Sequence, residues 1–251
     1  MKVAVIGATG TAGSRVVAKL EEEGIDTVLV SRSTGVDLIT GLGLAQALAG
    51  VDVAIDASNA FPTDASVDLH TALTSATRNV VAACAEQQVK HLVFLSILRI
   101  EDPVFDDFPY FVAKRAQEAI VRAGAVGSTI VKSSKWHEFA TNPAVVSFTD
   151  DEVLVQDWLI QPVAAETVAE VLVETALSDT PAPTREITGP GPIRLPELTA
   201  RLLARRGDAR LVRAVAPEPA ALAEGVLLAP ETAEAISPGV DIWLKTQNTP
   251  G

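Results

Sequence analysis

Three glycines within the first fifteen residues constrain this chain more than any other feature. The short apolar run Val3-Ala4-Val5-Ile6 leads directly into Gly7-Ala8-Thr9-Gly10-Thr11-Ala12-Gly13, and behind it Val16, Val17 and Leu20 recur at helical spacing. An apolar run stopped by glycine reads as a buried strand, and the pattern after it as a helix that buries one side. Each glycine then has its own reason. Gly7 lets the chain leave the strand in a tight turn, Gly10 removes a side chain where a phosphate must approach the backbone, and Gly13 lets the helix sit close to the strand. The N–H groups at the helix start face the anion. The spacing and its strand-before, helix-after context predict a dinucleotide site made of Gly7, Thr9, Gly10, Thr11, Ala12 and Gly13; a plain strand-to-helix turn is the alternative.

The next apolar run, residues 27–33, ends in Ser31-Arg32-Ser33, about 20 residues beyond the glycine turn, where such a fold meets the adenosine ribose. An acidic residue there accepts from a 2′-hydroxyl and indicates NAD. A guanidinium between two hydroxyls suits a 2′-phosphate, so the expected cofactor is NADP(H), with a solvated loop arginine as the other reading. Residues 35–38 are expected as a third strand, followed by a helix over 42–48 and a strand over 51–57. Asp37 is placed to meet the adenine, and Ala57, Ser58 and Asn59 to line the cofactor channel; for Asp37 and Asn59 an ordinary turn role is the alternative. A helix over 64–88 carries His70, read as a surface or packing histidine, and Cys84, read as a core thiol. A strand over 91–97 has Ser96 near its end, a polar loop follows, and Pro109 opens a helix that runs to Gly124. A further strand covers 127–133.

Alternation of this kind indicates an open, doubly wound parallel sheet with helices on both faces. Beyond Ser134 the rhythm changes. A loop or short helix is expected at 136–140, short strands near the sheet edge at 152–155 and 158–160, and a helix over 162–177. A strand at 186–188, a helix over 195–206 and Ala-rich helical stretches up to Leu244 complete the pattern. The expected organisation is a cofactor-binding domain over 1–140, with 141–251 as a small substrate-side segment packed on it.

At 251 residues the chain is long enough for a sizeable core. A formal net charge of −12 argues against general affinity for nucleic acid or an anionic membrane. The single cysteine excludes a disulfide framework, and no Cys/His spacing suggests a metal site. The first strand begins almost at Met1 and no apolar run approaches the roughly 20 residues that span a bilayer, so a cytoplasmic protein without a signal peptide is expected.

Tyr110 and Lys114 stand four apart on one helix and share a face. An ammonium near a phenol favours the phenolate and is expected to lower its pKa from about 10. Tyr110 then serves as acid in carbonyl reduction or as base in alcohol oxidation. Lys114 can also bond the nicotinamide ribose, and Ser96 can polarise the same substrate oxygen. Phe108 and Phe111 flank Tyr110, and packing alone is the competing explanation of this cluster.

With these residues assembled, the chain resembles the atypical short-chain dehydrogenase/reductase family, most closely its NmrA-like NAD(P)-binding branch. The resemblance rests on the glycine turn, Ser31-Arg32, Gly50-Val51-Asp52, residues 78–83 and 91–96, Tyr110 with Lys114, Ala116-Gln117-Glu118, Thr129-Ile130-Val131-Lys132 and His137-Glu138-Phe139. It covers most of 1–140 and is looser later, around Ile187-Thr188-Gly189-Pro190. It departs at Lys132, where such proteins often carry arginine, and at Ile97-Leu98-Arg99, which lacks the usual glycine. The resemblance implies a Rossmann-type fold holding NADP(H), a small-molecule substrate admitted beside the C-terminal segment, and reduction of a small carbonyl or quinone. A homodimer is compatible with it. The branch also includes members that bind the dinucleotide as sensors without turnover, so a non-catalytic NADP(H) sensor is the alternative; a sugar-nucleotide epimerase-like enzyme is a further one, for which about 110 residues after the sheet leave little room.

Overall fold

The computed structural model describes residues 1–64 and 66–247. The first apolar run forms strand β1 (Lys2–Ile6), buried at its last four positions, as a strand flanked on both edges and faces must be. β1 pairs in parallel with β2 (Asp26–Val30) on one side, Val3 opposite Thr27, and with β3 (Val53–Asp56) on the other, Val3 opposite Val53. β3 pairs in parallel with β4 (His91–Ile97), Val53 opposite His91. With β5 (Gly127–Ser133), β9 (Thr184–Thr188) and β12 (Glu234–Ala235), the strand order is β12-β9-β5-β4-β3-β1-β2. Helices α1 (Thr11–Glu22), α2 (Leu44–Ala47), α3 (Leu69–Glu86) and α4 (Pro109–Ala123) connect the parallel strands. This is a Rossmann-like α/β fold.

Two compact units divide the chain: Met1–Lys132 with Val168–Arg185, and Ser133–Thr167 with the chain from Glu186 onward. The first unit's core joins Ile6, Val30, Leu44, Leu48, Val80, Leu92, Phe94, Val121 and Ile130. Gln117 of α4 donates to Leu73 O and Thr77 Oγ1 of α3, at 3.2 and 2.7 Å, and locks the two helices in register. Helix α5 (Ala165–Leu177) contributes to this unit through Glu170, 3.1 Å from Lys19 of α1. The second unit has a three-stranded sheet, order β11-β7-β6, made from β6 (Val146–Phe148), β7 (Glu152–Gln156) and β11 (Leu211–Val215). It also holds an antiparallel pair, β8 (Leu159–Ile160) with β10 (Ile193–Arg194), and helices α6 (Leu195–Arg205) and α7 (Val240–Thr246). Among the described residues no helix is long and apolar enough to cross a membrane.

Several expectations are corrected. Residues 35–38 are not a strand. Gly35 is left-handed at φ 84°, Asp37 Oδ1 accepts from Ile39 N at 2.9 Å, and Gly41 N bonds Asp37 O, so the segment coils on itself. Its absence leaves β1 between β2 and β3. The long helix starts at Leu69 rather than 64, because Asp68 caps it by accepting from Thr71 N at 2.9 Å. Strands do form where 152–155 and 158–160 predict them, as β7 and β8, and they pair within the small sheets of the second unit. Among the described residues, the stretch toward Leu244 is helical over the 3-10 turn Ala220–Leu222 and over α7; Pro217, Pro219, Pro230 and Pro238 interrupt the Ala-rich pattern, and Leu211–Val215 is the strand β11.

Candidate functional site

With β1 between β2 and β3, the crossovers from β1 to β2 and from β2 back to β3 leave the C-terminal ends of β1 and β3 adjacent, the switch point where open α/β sheets bind ligands. The glycines are built for that position. Gly7 has φ 81°, and a Cβ on it would lie 2.7 Å from Ser58 Cα, so the turn after β1 touches the end of β3. A Cβ on Gly13 would overlap Gly7 O. Gly10 is different: its φ is −80°, and the single close neighbour of a Cβ there would be Gly7 O at 3.3 Å. Neither conformation nor crowding within the chain demands glycine as strongly here, and Thr9, Gly10 and Thr11 are all exposed. Helix α1 begins without a side-chain cap and without an acidic residue in its first turn, and its first intrahelical bond is Ser14 N to Gly10 O at 3.0 Å. The amides of Thr11, Ala12 and Gly13 therefore present partial positive charge to this surface. A pyrophosphate fits that donor set.

At the end of β2, Ser31 Oγ and Ser33 Oγ lie 2.7 Å apart, and Ser31 N donates to Thr34 Oγ1. The 3-10 turn Arg32–Thr34 holds Arg32 exposed, and among the described residues its guanidinium has no hydrogen-bond or ion-pair partner. Asp37 is turned into its own loop, while Asn79 of α3 ties that loop down by donating to Leu38 O and Ile39 O.

The end of β3 carries Asp56, which the sequence reading passed over. Its carboxylate is buried and accepts from Ser58 N at 2.9 Å. Burial raises its pKa, against the hydrogen bonds from Ser58 and the charge of Lys114. One residue on, Asn59 Nδ2 donates to Tyr110 Oη at 3.1 Å, and Phe61 stacks on the Tyr110 ring at 5.9 Å and 15°. Phe105, Phe108 and Phe111 continue the aromatic cluster behind Tyr110, Phe105 and Phe111 stacking at 4.3 Å.

Helix α4 supplies the rest. Its inward face is Phe111, Ala113, Lys114, Gln117, Glu118 and Val121, an apolar stripe into which three polar side chains are set. Lys114 Nζ donates to Leu95 O at 3.1 Å and lies 4.5 Å from the centre of the Phe94 ring. Burial pulls its pKa down to about 8, opposed by the charges of Asp56 and Glu118. Ser96 Oγ donates to Glu118 Oε1 at 2.6 Å. The structure thus brings Asn59 and Tyr110 together, and Lys114 to the main chain beside Ser96, but directs the Ser96 hydroxyl to Glu118 instead of to Tyr110. The expected lowering of the Tyr110 pKa by Lys114 is not found. Burial raises that pKa and the Asn59 hydrogen bond opposes the rise, because the Lys114 ammonium is spent on Leu95 O and the Phe94 ring. In the loop after Ser96, which lacks the glycine usual in the resembling family, Arg99 takes the left-handed backbone at φ 67° and pairs with Asp102 at 3.2 Å.

Asp56 and Glu118 could have been found from sequence by two signals: an acid inside the apolar run 51–57, and a carboxylate one turn beyond Lys114 on the same helix face; Phe61 carries no such signal. Within the second unit, His137 is buried against Trp243 at 4.8 Å, with no partner on either ring nitrogen among the described residues. Burial pulls its pKa down to about 4.

A parallel sheet whose switch point carries a glycine turn and an uncapped helix start defines a dinucleotide-binding protein of the Rossmann class. Residues 7–179 match the model of the NAD(P)H-binding family, and the chain belongs to that family. It is 30% identical over 216 residues to the (4-alkanoyl-5-oxo-2,5-dihydrofuran-3-yl)methyl phosphate reductase of Streptomyces griseus, covering 80% of this chain and 72% of that protein. In fold it is similar to a short-chain dehydrogenase/reductase superfamily protein of Agrobacterium tumefaciens with bound NAD, with a TM-score of 0.73 at 16% identity over 98% of this chain and 95% of the other. It is also similar to the NADPH-dependent quinone oxidoreductase of Escherichia coli complexed with NADPH, with a TM-score of 0.67 at 14% identity over 97% and 98% of the two chains. The chain is thus an NAD(P)H-binding protein of an oxidoreductase family.

Proposed function

We infer that this protein is an NADPH-dependent reductase of a small carbonyl or quinone-type substrate. The observation that carries the reading is the hydrogen bond to Tyr110 Oη from Asn59, three residues beyond the end of β3 and next to Ser58, against which Gly7 packs. It supports a phenol acting beside the proposed cofactor cradle. The first-turn amides of α1 would hold the pyrophosphate and the unengaged Arg32 guanidinium the 2′-phosphate. Lys114 would orient the ribose. Bound NADPH supplies the hydride. Tyr110 donates its phenolic proton to the substrate oxygen as negative charge develops there, and the phenolate regains a proton from water. The reductase relative from Streptomyces griseus supports the reaction class.

The test is turnover of NADPH by the purified protein across aldehydes, ketones, enones and quinones. Tyr110→Phe is expected to lower kcat about a hundredfold or more with NADPH affinity retained; full turnover in that variant removes Tyr110 from the chemistry. Arg32→Ala is expected to weaken NADPH binding about tenfold or more and leave NADH unchanged, and an unchanged ratio removes the phosphate assignment.

One observation favours a second reading, a dinucleotide sensor without turnover: the Ser96 hydroxyl is committed to Glu118, so the Ser-Tyr-Lys set is not assembled. That reading predicts tight, redox-discriminating cofactor binding and no product with any of these substrates.

A further inference from the structure

The phenol of Tyr110 has one hydrogen-bond partner among the described residues, and it is an amide rather than a cation. Asn59 comes from the loop after β3, and its Nδ2–H points at the phenol oxygen, so the oxygen is the acceptor in this contact. An oxygen already accepting at one lone pair keeps its own O–H proton free to be given elsewhere. Two residues further on, Phe61 lies nearly parallel to the Tyr110 ring although half of its own surface, 51%, remains exposed. Phe61 N also donates to Asn59 O at 2.8 Å, which holds the two contacts in one local turn. Phe111 packs against the same ring edge-on at 6.0 Å and 72°. The ring plane and the oxygen are therefore both fixed from the β3 loop.

We propose that Asn59 is the residue that positions and polarises Tyr110, in the role otherwise given to a neighbouring lysine, with Phe61 as the clamp that holds the ring. The proposal rests on the reading that Tyr110 is the proton donor. As the phenol O–H bond breaks and the proton passes to the substrate oxygen, the electron pair remains on Tyr110 Oη. The Asn59 N–H then donates to a developing phenolate, and a hydrogen bond to a charged acceptor is stronger than one to a neutral acceptor. The charged groups on the surrounding elements are otherwise engaged. On α4 itself, Lys114 is bonded to Leu95 O of β4 and Arg115 to Asp106 of the preceding loop at 2.7 Å; on β3, Asp56 accepts from Ser58 N.

Tyr110 is the only tyrosine in the chain, so its ionisation and hydrogen bonding can be read in the intact protein without substrate. The experiment follows tyrosinate absorbance against pH, and the tyrosine Raman doublet at neutral pH, in wild type, Asn59→Ala, Asn59→Gln and Lys114→Met, with circular dichroism confirming the fold at each pH. Loss of the Asn59 donor is expected to raise the phenol midpoint by about one pH unit or more and to shift the Raman intensity ratio away from the acceptor pattern. Asn59→Gln is expected to restore part of both, and Lys114→Met to move neither as far as Asn59→Ala does. A phenol that responds to Lys114→Met and not to Asn59→Ala, in midpoint and Raman ratio alike, overturns the proposal. Undiminished turnover in Tyr110→Phe overturns the proton-donor reading instead, so the two failures appear on different variants.

Discussion

Ser96 and Glu118 are joined by a 2.6 Å hydrogen bond, Ser96 Oγ donating to Glu118 Oε1, with both side chains withdrawn from solvent. The other carboxylate oxygen, Oε2, forms ion pairs with Arg122 Nη2 at 2.9 Å and Lys132 Nζ at 3.3 Å. Lys132 is also buried and pairs with Glu101 at the surface. At 2% exposure the Glu118 carboxylate is faced by two cations and a hydroxyl. The end of β4 and the inner face of α4 are thus held by one ionic cluster adjoining Lys114.

Replacing Glu118 by alanine leaves the Lys132 ammonium with only its surface partner and the Ser96 hydroxyl with none. Removing one member of such a buried pair is expected to cost about 3 kcal/mol of folding stability, read as the unfolding free energy in urea. Glu118→Gln keeps an acceptor for Ser96 and is expected to fall between that variant and wild type. A loss below about 0.5 kcal/mol in Glu118→Ala, the size of an ordinary surface substitution, would mean that Lys132 and Ser96 find new partners.

The two glycines at the start of α1 are expected to respond differently to the same added methyl. In Gly13→Ala the Cβ would overlap Gly7 O, main chain that cannot move aside, so a loss of several kcal/mol in stability is expected. In Gly10→Ala the nearest atom would be 3.3 Å away and φ is already −80°, so the loss should stay near 1 kcal/mol. NADPH affinity should nonetheless fall tenfold or more, because the methyl occupies the surface that a pyrophosphate approaches. Thermal melts and fluorescence titration with NADPH measure the two effects. Equal loss of stability in both variants would contradict the distinction.

Lys114 ties stability to pH. Burial brings its pKa from 10.5 to about 8, so below pH 8 the ammonium is charged in both states and the full burial penalty opposes folding. Between pH 8 and 10.5 the unfolded chain binds more protons than the folded one, and stability from this group rises with pH, by at most about 1.4 kcal/mol per unit. Lys114→Met removes the term. The difference in unfolding free energy between wild type and Lys114→Met, measured in urea from pH 7 to 10, is expected to be flat below pH 8 and to climb above it in favour of wild type. A flat difference throughout would show an ammonium that is not penalised by burial.

Much of the first unit was legible in the sequence. Strands over 91–97 and 127–133 and the helix opened by Pro109 appear where local pattern puts them, because apolar runs stopped by glycine or proline leave the backbone few alternatives. The element that failed, residues 35–38, failed through side-chain chemistry: Asp37 bonds the main chain two residues on and competes with any sheet partner. In the second unit, propensity of the Ala-rich segments was overridden by proline and by pairing between β11 and β7.

The candidate site divides along the same line. Glycine spacing at Gly7, Gly10 and Gly13 is a local property, since strand, turn and helix follow one another within fifteen residues, and the sequence alone was enough to predict a tight turn at that helix start. The shared face of Tyr110 and Lys114 was equally local. What each side chain touches was not. Asn59 reaches Tyr110 across 51 positions of sequence, and Ser96 turns to Glu118 across 22, so only the packing of α4 against the sheet could decide which group meets the phenol. Helical periodicity assigns Lys114, Gln117 and Glu118 to one face but cannot say that this face is the buried one. Their partners, the carbonyl of Leu95, the hydroxyl of Thr77 and the ammonium of Lys132, are brought together only by the tertiary fold.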